Sequence, residues 1–416
     1  MQGTQAKWQN ERENKYVCKH KTKDFLTIIN INIERINHLL KLYKLEKQEF
    51  LLLVSKGLKK KFTAEEVFKK EIKVSLLKKI DKVFGKGLNY YLDPKQLREA
   101  KEESIFFRKD KFNADLNLSA KKIVNHFEEE KISLSALSKL SDLKHERLLP
   151  LFTVKDKPKE IAAEIRKKLY PEFNNKKREF LKSLIANFAE HNILVFEFVE
   201  NWNKKEKVNI NGFYLKPDTI VLKRNQKSFS REIFTLIHEL GHYLLNEEEI
   251  DERINEDTPD YTSLSKVERW CNDFAYYFLV GELDKTLIAL ATATSSNDYH
   301  HDTLDAIAQQ TNLSMFALYT RLLISEKISL SNYRRVCKEL SDSIKAREAE
   351  EQRKHELERL KALEEGRTPG GAAAQPLLSP LYVSTIQSAF YEGVINEAEF
   401  CRRLNIKPER IDYYLK

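Results

Sequence analysis

The chain has 416 residues, 41% of them hydrophobic and 32% charged, enough apolar material for two or three domains with cores of their own. Its formal net charge of +9 suits acidic partners or nucleic acid, and equally suits a solvated lysine-rich surface. Cys18, Cys271, Cys337 and Cys401 are widely separated and form no Cys-x-x-Cys pair, which argues against a disulfide framework. A polar first twenty residues and the lack of any apolar run long enough to span a bilayer argue against a signal peptide and a membrane segment. The expectation is a cytoplasmic protein with reduced thiols.

In chain order, residues 1–24 read as a frayed start. From about 24 to 94 the pattern is helical, with Phe25, Ile28, Ile29, Ile33, Ile36, Leu39, Leu40 and Tyr43 on buried faces. Thr63 with Glu66 has the form of a helix N-cap and its reciprocal glutamate, and Gly85 marks a helix stop. Ser104-Ile105-Phe106-Phe107-Arg108-Lys109 reads as a strand or hydrophobic anchor. Helices are expected at 119–130, 133–141 and 158–169, the last with Pro158 in its first turn and Pro171 beyond its end. A helix over 180–191 precedes three runs rich in branched and aromatic residues, 193–199, 210–215 and 219–222. These predict a three-stranded antiparallel sheet, one edge of which could hold an extended peptide by backbone hydrogen bonds.

The sheet leads into residues 234–245, Phe-Thr-Leu-Ile-His-Glu-Leu-Gly-His-Tyr-Leu-Leu. Helical spacing puts His238 and His242 on one face, where neutral imidazoles can bind one metal ion. Glu239 stands on the adjoining edge, placed to take a proton from a water attacking a carbonyl. A third ligand is needed downstream. Residues 263–279 read as a second helix with Val267, Trp270, Phe274 and Phe278 on a buried stripe, and Glu268 lies one residue off it. A carboxylate so placed is costly to bury unless it pairs or binds a metal.

Gly212-Phe213-Tyr214, Thr219-Ile220-Val221-Leu222, the run from Arg231 to His242, and Glu268-Arg269-Trp270-Cys271-Asn272-Asp273-Phe274-Ala275 together resemble the ImmA/IrrE metallopeptidases over roughly residues 160–340. The resemblance implies one Zn2+ per chain held by His238, His242 and Glu268, Glu239 as general base, and Asn272 supporting a ligand from one turn beyond Glu268. It also implies a protein substrate, a Cro/C1-type repressor encoded nearby on a mobile element, and an N-terminal helix-turn-helix-like domain through which DNA could be bound. Residues 24–92 occupy that domain's place but show no clear recognition helix. Val280-Gly281 stands where such peptidases often carry Met-Pro.

Between the two metal helices the acidic run from Glu247 to Asp257 could screen the metal or favour a basic substrate segment, and reads first as solvated charge. Tyr243 and Tyr214 are candidate donors to a developing oxyanion. His300 and His301 fall in a polar loop. Residues 303–340 form a helical unit, 341–365 a charged helical spacer, 366–376 a flexible linker, and 381–415 a small helical piece that docks on the core or on a partner.

The reading is an α+β, mainly helical chain whose zincin-like catalytic domain, a small antiparallel sheet plus the His-Glu-x-x-His helix, is flanked by helical modules. Its expected segments are a helical domain at 1–100, a connecting region at 101–170, the peptidase domain at 171–340, the charged helix and linker at 341–380, and a terminal module at 381–416. The expected function is zinc endopeptidase action on a specific regulatory protein, away from membranes. The alternative is a DNA- or repressor-binding regulator, such as a toxin–antitoxin component, whose zinc site is structural.

Overall fold

A computed structural model of the protein describes residues 27–96, 116–200, 207–224, 228–249, 264–367 and 375–415. The expected anchor at 104–109, the frayed start and Cys18 lie outside the described residues. The architecture is α+β and mainly helical, as expected from the sequence. The chain divides into two compact units, residues 1–125 and 126–416.

In the first unit β1 (Ile28–Asn30) precedes α1 (Ile33–Leu42), α2 (Lys47–Val54) and α3 (Ala64–Val67). Next come β2 (Glu71–Lys73), α4 (Val74–Phe84) and α5 (Leu88–Leu92), and α6 (Leu118–Leu140) begins here and continues into the second unit. Thr63 caps α3 in a full capping box with Glu66, and Gly85 ends α4 in the left-handed conformation, both as the sequence indicates. Ile28 and Ile29 are not helical. The branched run Thr27-Ile28-Ile29 favours extended backbone and pairs antiparallel with β2, leaving Ile28 largely exposed. Tyr43 and Phe50 stack on Phe84 at ring distances of 5.9 and 5.1 Å. Those rings are the centre of this small core.

The second unit takes the rest of α6, then α7 (Pro158–Leu169), α8 (Lys177–Glu190), β3 (Leu194–Val199), β4 (Gly212–Leu215) and β5 (Thr219–Arg224). α9 (Phe229–Leu245), α10 (Lys266–Val280), α11 (Asp284–Ala289), α12 (His301–Thr311), α13 (Met315–Ile324) and α14 (Leu330–Glu364) follow. α15 (Pro380–Tyr391), α16 (Glu397–Leu404) and α17 (Ile411–Tyr414) complete it. α6 is one helix where two were expected, because nothing between residues 130 and 133 breaks it: there is no Gly or Pro.

The expected antiparallel sheet is mixed. Its order is β3-β5-β4, with β5 antiparallel to β4 but parallel to β3. The tight Lys216-Pro217-Asp218 connection fixes β4 and β5 as a hairpin, and β5 fills the middle because Thr219, Ile220, Val221 and Leu222 are all buried. β3 therefore meets the far side of β5, not β4. Period-two patterning reports which face a side chain takes and is silent on strand order.

Side chains alternate across this sheet. Tyr214, Ile220, Leu222 and Val195 join the core shared with α9 and α10. Phe196, Phe198 and Phe213 turn to the other face, where Phe127 of α6 meets them at 5.2, 6.2 and 6.5 Å. The outer side of β3 is met by the chain entering α15: Leu378 bridges Phe196, and Leu377 N–H donates to Glu197 at 2.7 Å. Tyr382, Ile386, Phe400 and Leu404 then pack with Leu134, Leu137 and Leu194, so the terminal helices dock on the second unit's own core.

Glu197 is buried and its carboxylate is clamped by Arg178 through two bonds of 2.7 and 3.1 Å. Removing the guanidinium leaves a buried anion with one backbone donor. Arg178→Ala should therefore lose about 3 kcal/mol of stability in urea unfolding, with α15–α17 loosened in hydrogen exchange. A loss no larger than that of an exposed arginine would show that the clamp is incidental.

Candidate metal centre

α9 is buried along almost its whole length, which is why its polar residues carry information. Ser228 caps it by accepting from Arg231 N–H at 3.2 Å, and Asn246 ends it in the left-handed conformation. One side of the helix lies on the sheet. A Cβ on Gly212 of β4 would sit 2.7 Å from Thr235 Cγ2 and 3.3 Å from Glu239 Cγ, so this strand residue has room for a hydrogen only. The opposite side lies on α10. A Cβ on Gly241 would come within 3.0–3.1 Å of Cys271, side chain and Cα alike. Glycine in the middle of His-Glu-Leu-Gly-His thus lets two helix backbones approach closely, at the usual helix-propensity cost.

That approach brings Glu268 to the histidines. Ser265 accepts from Glu268 N–H at 3.1 Å, giving a Ser-x-x-Glu helix start. In a capping box the glutamate would reach back to the cap's own N–H. Here it points at the imidazoles instead. Glu268 Oε2 is 3.1 Å from His238 Nε2, Glu268 Oε1 is 3.3 Å from His242 Nε2, and the two Nε2 atoms are 3.1 Å apart. All three residues are buried, and neither Glu268 oxygen has a hydrogen-bond partner among the described residues.

The other ring nitrogens explain why Nε2 is the inward atom. His238 Nδ1 is 3.0 Å from Asn272 Oδ1, and His242 Nδ1 is 3.1 Å from the Glu247 carbonyl oxygen. Both partners are acceptors, so each Nδ1 carries the proton and each neutral ring turns an Nε2 lone pair inward. Two lone pairs and a carboxylate facing one another in a buried space call for a cation. Bonds of about 2.0–2.1 Å in tetrahedral geometry put ligand atoms roughly 3.3 Å apart, and the three observed separations of 3.1, 3.1 and 3.3 Å fit that spacing. His238, His242 and Glu268 could together hold a metal ion such as zinc.

Without a metal ion, a proton taken up by His242 supplies part of the missing positive charge. Burial alone would raise the Glu268 carboxyl, but His242 and His238 outweigh it and hold Glu268 well below the usual carboxylate range. Burial would lower His242, yet the adjacent Cys271 and Glu268 raise it well above its ordinary value. The Cys271 thiol is itself pushed up to about 11, chiefly by burial. It is an inert packing thiol beside the ligands.

Glu239, next to His238, is buried. The two tyrosines are not brought to the cluster. Tyr214 donates to the Pro217 carbonyl at 2.8 Å and lies 3.1 Å from Asn246 Oδ1, and Tyr243 packs edge-on against it beneath the Arg147 guanidinium. Both are core residues holding the end of α9 against the β4–β5 turn. His300 Nε2 is 3.1 Å from the Ala291 carbonyl and belongs to a turn.

The acidic run is only partly solvated. Glu248 is buried and accepts from Lys216 N–H at 2.8 Å, and Glu249 accepts from Ser265 at 3.0 Å; residues 250–263 lie outside the described residues. Sequence reasoning also missed Cys271 and the Glu247 carbonyl. Cys271 was findable, standing three residues beyond Glu268 on a buried helix. A backbone acceptor leaves no trace in residue type. After α10 the Val280-Gly281 pair makes a turn with positive φ at Gly281, closed by Arg166 on the Phe278 and Leu279 carbonyls. It does not disturb the cluster.

Residues 188–323 match the family model Peptidase_M78, described as an IrrE N-terminal-like domain, and so support the resemblance to the ImmA/IrrE family. The matched stretch holds every residue of the cluster. Comparison with curated proteins and with solved structures returned no significant match.

Two outcomes follow. Asn272→Ala should weaken zinc binding about 10–100-fold, because the His238 ring loses its orienting acceptor; competition with a chromogenic chelator reads this directly. In the metal-free protein, His242 is raised, so its contribution to stability is present at low pH and is lost as pH rises through its folded value, above 6.5. Glu268 is lowered, so its contribution is lost only as pH falls well below 4.5. Melting temperature without metal should decline on the alkaline side, and zinc should abolish that decline. A flat profile would contradict the assigned coupling.

Proposed function

We propose, from the premise that residues 188–323 carry an M78-family, IrrE N-terminal-like domain, that the chain is a zinc-dependent endopeptidase acting on a regulatory protein. The observation that carries this reading is the convergence of His238, His242 and Glu268 beside a buried glutamate one residue from the first histidine. Zinc, when bound, would supply a Lewis acid that polarises a peptide carbonyl and makes water acidic near neutral pH.

The chain's own residues supply the rest. His238, His242 and Glu268 hold the ion, and Asn272 and the Glu247 carbonyl fix the two rings so that Nε2 stays inward. Glu239 takes a proton from the attacking water and returns it to the leaving amine nitrogen. β4, at one edge of the sheet, starts at Gly212 directly over the Glu239 side chain. Gly212, Phe213, Tyr214 and Leu215 are all buried, so the substrate does not pair along that edge as the strand pattern suggested. The substrate we favour is a repressor of the Cro/C1 type encoded nearby on a mobile element, in keeping with the ImmA/IrrE resemblance.

A second reading has its own support. Residues 1–125 carry 29 Lys and Arg against 16 Asp and Glu, so the first unit holds a strong positive excess. That favours an anionic partner, DNA among them, and a regulator with a structural zinc site and little proteolysis.

Glu239→Gln separates the two. It should keep one zinc per chain and lower cleavage of the co-encoded repressor by about 10²–10⁴-fold, the usual weight of a general base. If the variant cleaves like the parent, the mechanism is wrong. If neither protein cleaves while the parent shifts promoter DNA in a salt-dependent way, the regulator reading replaces it.

A further inference from the structure

The second unit is acidic as a whole, with 43 Lys and Arg against 47 Asp and Glu, yet a large groove among its described residues has the opposite sign. The groove encloses about 1160 Å³ between the N-terminal half of α9, the Asn272 side of α10, α12, α13 and the stretch of α14 near residues 340–348. That exceeds the roughly 300–1,000 Å³ usual for small-molecule sites. The scale is that of a peptide segment.

Its charge is uneven. Lys177, Arg231, Arg321, Lys345 and Arg347 line it against Asp273, Asp305 and Glu348, with Arg321 bonded to Asp273 and Lys177 to Ser230, each at 2.7 Å. Asp305 accepts from Gln309 at 2.6 Å, which takes up part of the little negative charge present. The Asn312 side-chain amide, in a residue 1% exposed on the groove lining, has no hydrogen-bond partner among the described residues. Such an amide costs stability unless something polar completes it. At the other end the lining includes Thr235 and Asn272, and Asn272 holds His238. The groove therefore starts directly behind the metal cluster.

We propose that this groove binds an acidic segment of a protein partner. The inference rests on the peptidase reading in one respect: it makes that partner the substrate, so the groove would select substrates by acidic residues lying to one side of the bond to be cut. The positive lining steers such a segment in, and the apolar side chains Phe234, Leu264 and Phe316 seat its non-polar residues.

The test uses full-length, zinc-loaded Glu239→Gln protein, so that binding is read without turnover. Fluorescein-labelled peptides of equal length and equal apolar content, one Glu-rich and one Lys-rich, are compared with a single-stranded oligonucleotide by anisotropy. The acidic peptide should bind at least about tenfold tighter than the basic one at low salt. The double change Lys345→Glu with Arg347→Glu should remove about tenfold of that affinity. Both side chains are exposed, so circular dichroism should not change. Equal binding of the two peptides, preference for the Lys-rich peptide or the oligonucleotide, or undiminished binding in the double variant would overturn the proposal. Tight acidic-peptide binding by a parent protein that cleaves nothing would support the groove and fail the peptidase reading, so the two stand or fall separately.

Discussion

Two imidazole nitrogens stand 3.1 Å apart in a buried space with their lone pairs inward, and a carboxylate closes the triangle. Without a positive charge between them this arrangement is repulsive. Much of the second unit makes sense as the means of holding it. Gly241 lets α10 approach until Cys271 touches α9, Ser265 starts α10 so that Glu268 lies in its first turn, and Asn272 and the Glu247 carbonyl fix the ring orientations. A negative side chain in a first turn is also favoured by the helix dipole, so Glu268 is held as a carboxylate from two sides.

Around this centre the sheet acts as a floor. Gly212 gives α9 direct contact with β4, and Tyr214, Tyr243, Arg147 and Asn246 tie the helix end to the hairpin turn. Phe127 and the terminal helices cover the opposite face, with the Arg178–Glu197 clamp binding β3 to α8 and to the chain at Leu377. The exposed stretch of α14 beyond the groove adds little to that core. Rigid support on both faces suits a site whose ligands must stay within a few tenths of an ångström of a fixed geometry.

How much of this the sequence disclosed depended on whether side-chain type or three-dimensional order was at issue. His238 and His242 could be paired from their spacing alone, and Glu268 stood out as a carboxylate one residue off an apolar stripe. The structure puts these three together. Strand order did not follow from patterning, since β5 belongs in the middle only because the hairpin and β3 compete for its two edges. The Ile28–Asn30 strand was lost in a stretch whose apolar spacing suits a helix equally well. Tyr243 adjoins the motif in sequence, but one residue beyond His242 on a helix is a different face, and Tyr214 turns its hydroxyl to the Pro217 carbonyl. Glu248, read as solvated charge, is buried because a turn N–H needs its carboxylate.

The most direct measurement is X-ray absorption at the zinc edge on protein loaded with one equivalent of metal. The account predicts a first shell of light atoms only, two imidazoles and carboxylate or water oxygen, at about 2.0–2.1 Å, lost when Glu268 and both histidines are replaced together. A sulfur scatterer near 2.3 Å, marking Cys271 as a ligand, or no ordered first shell at all, would contradict it.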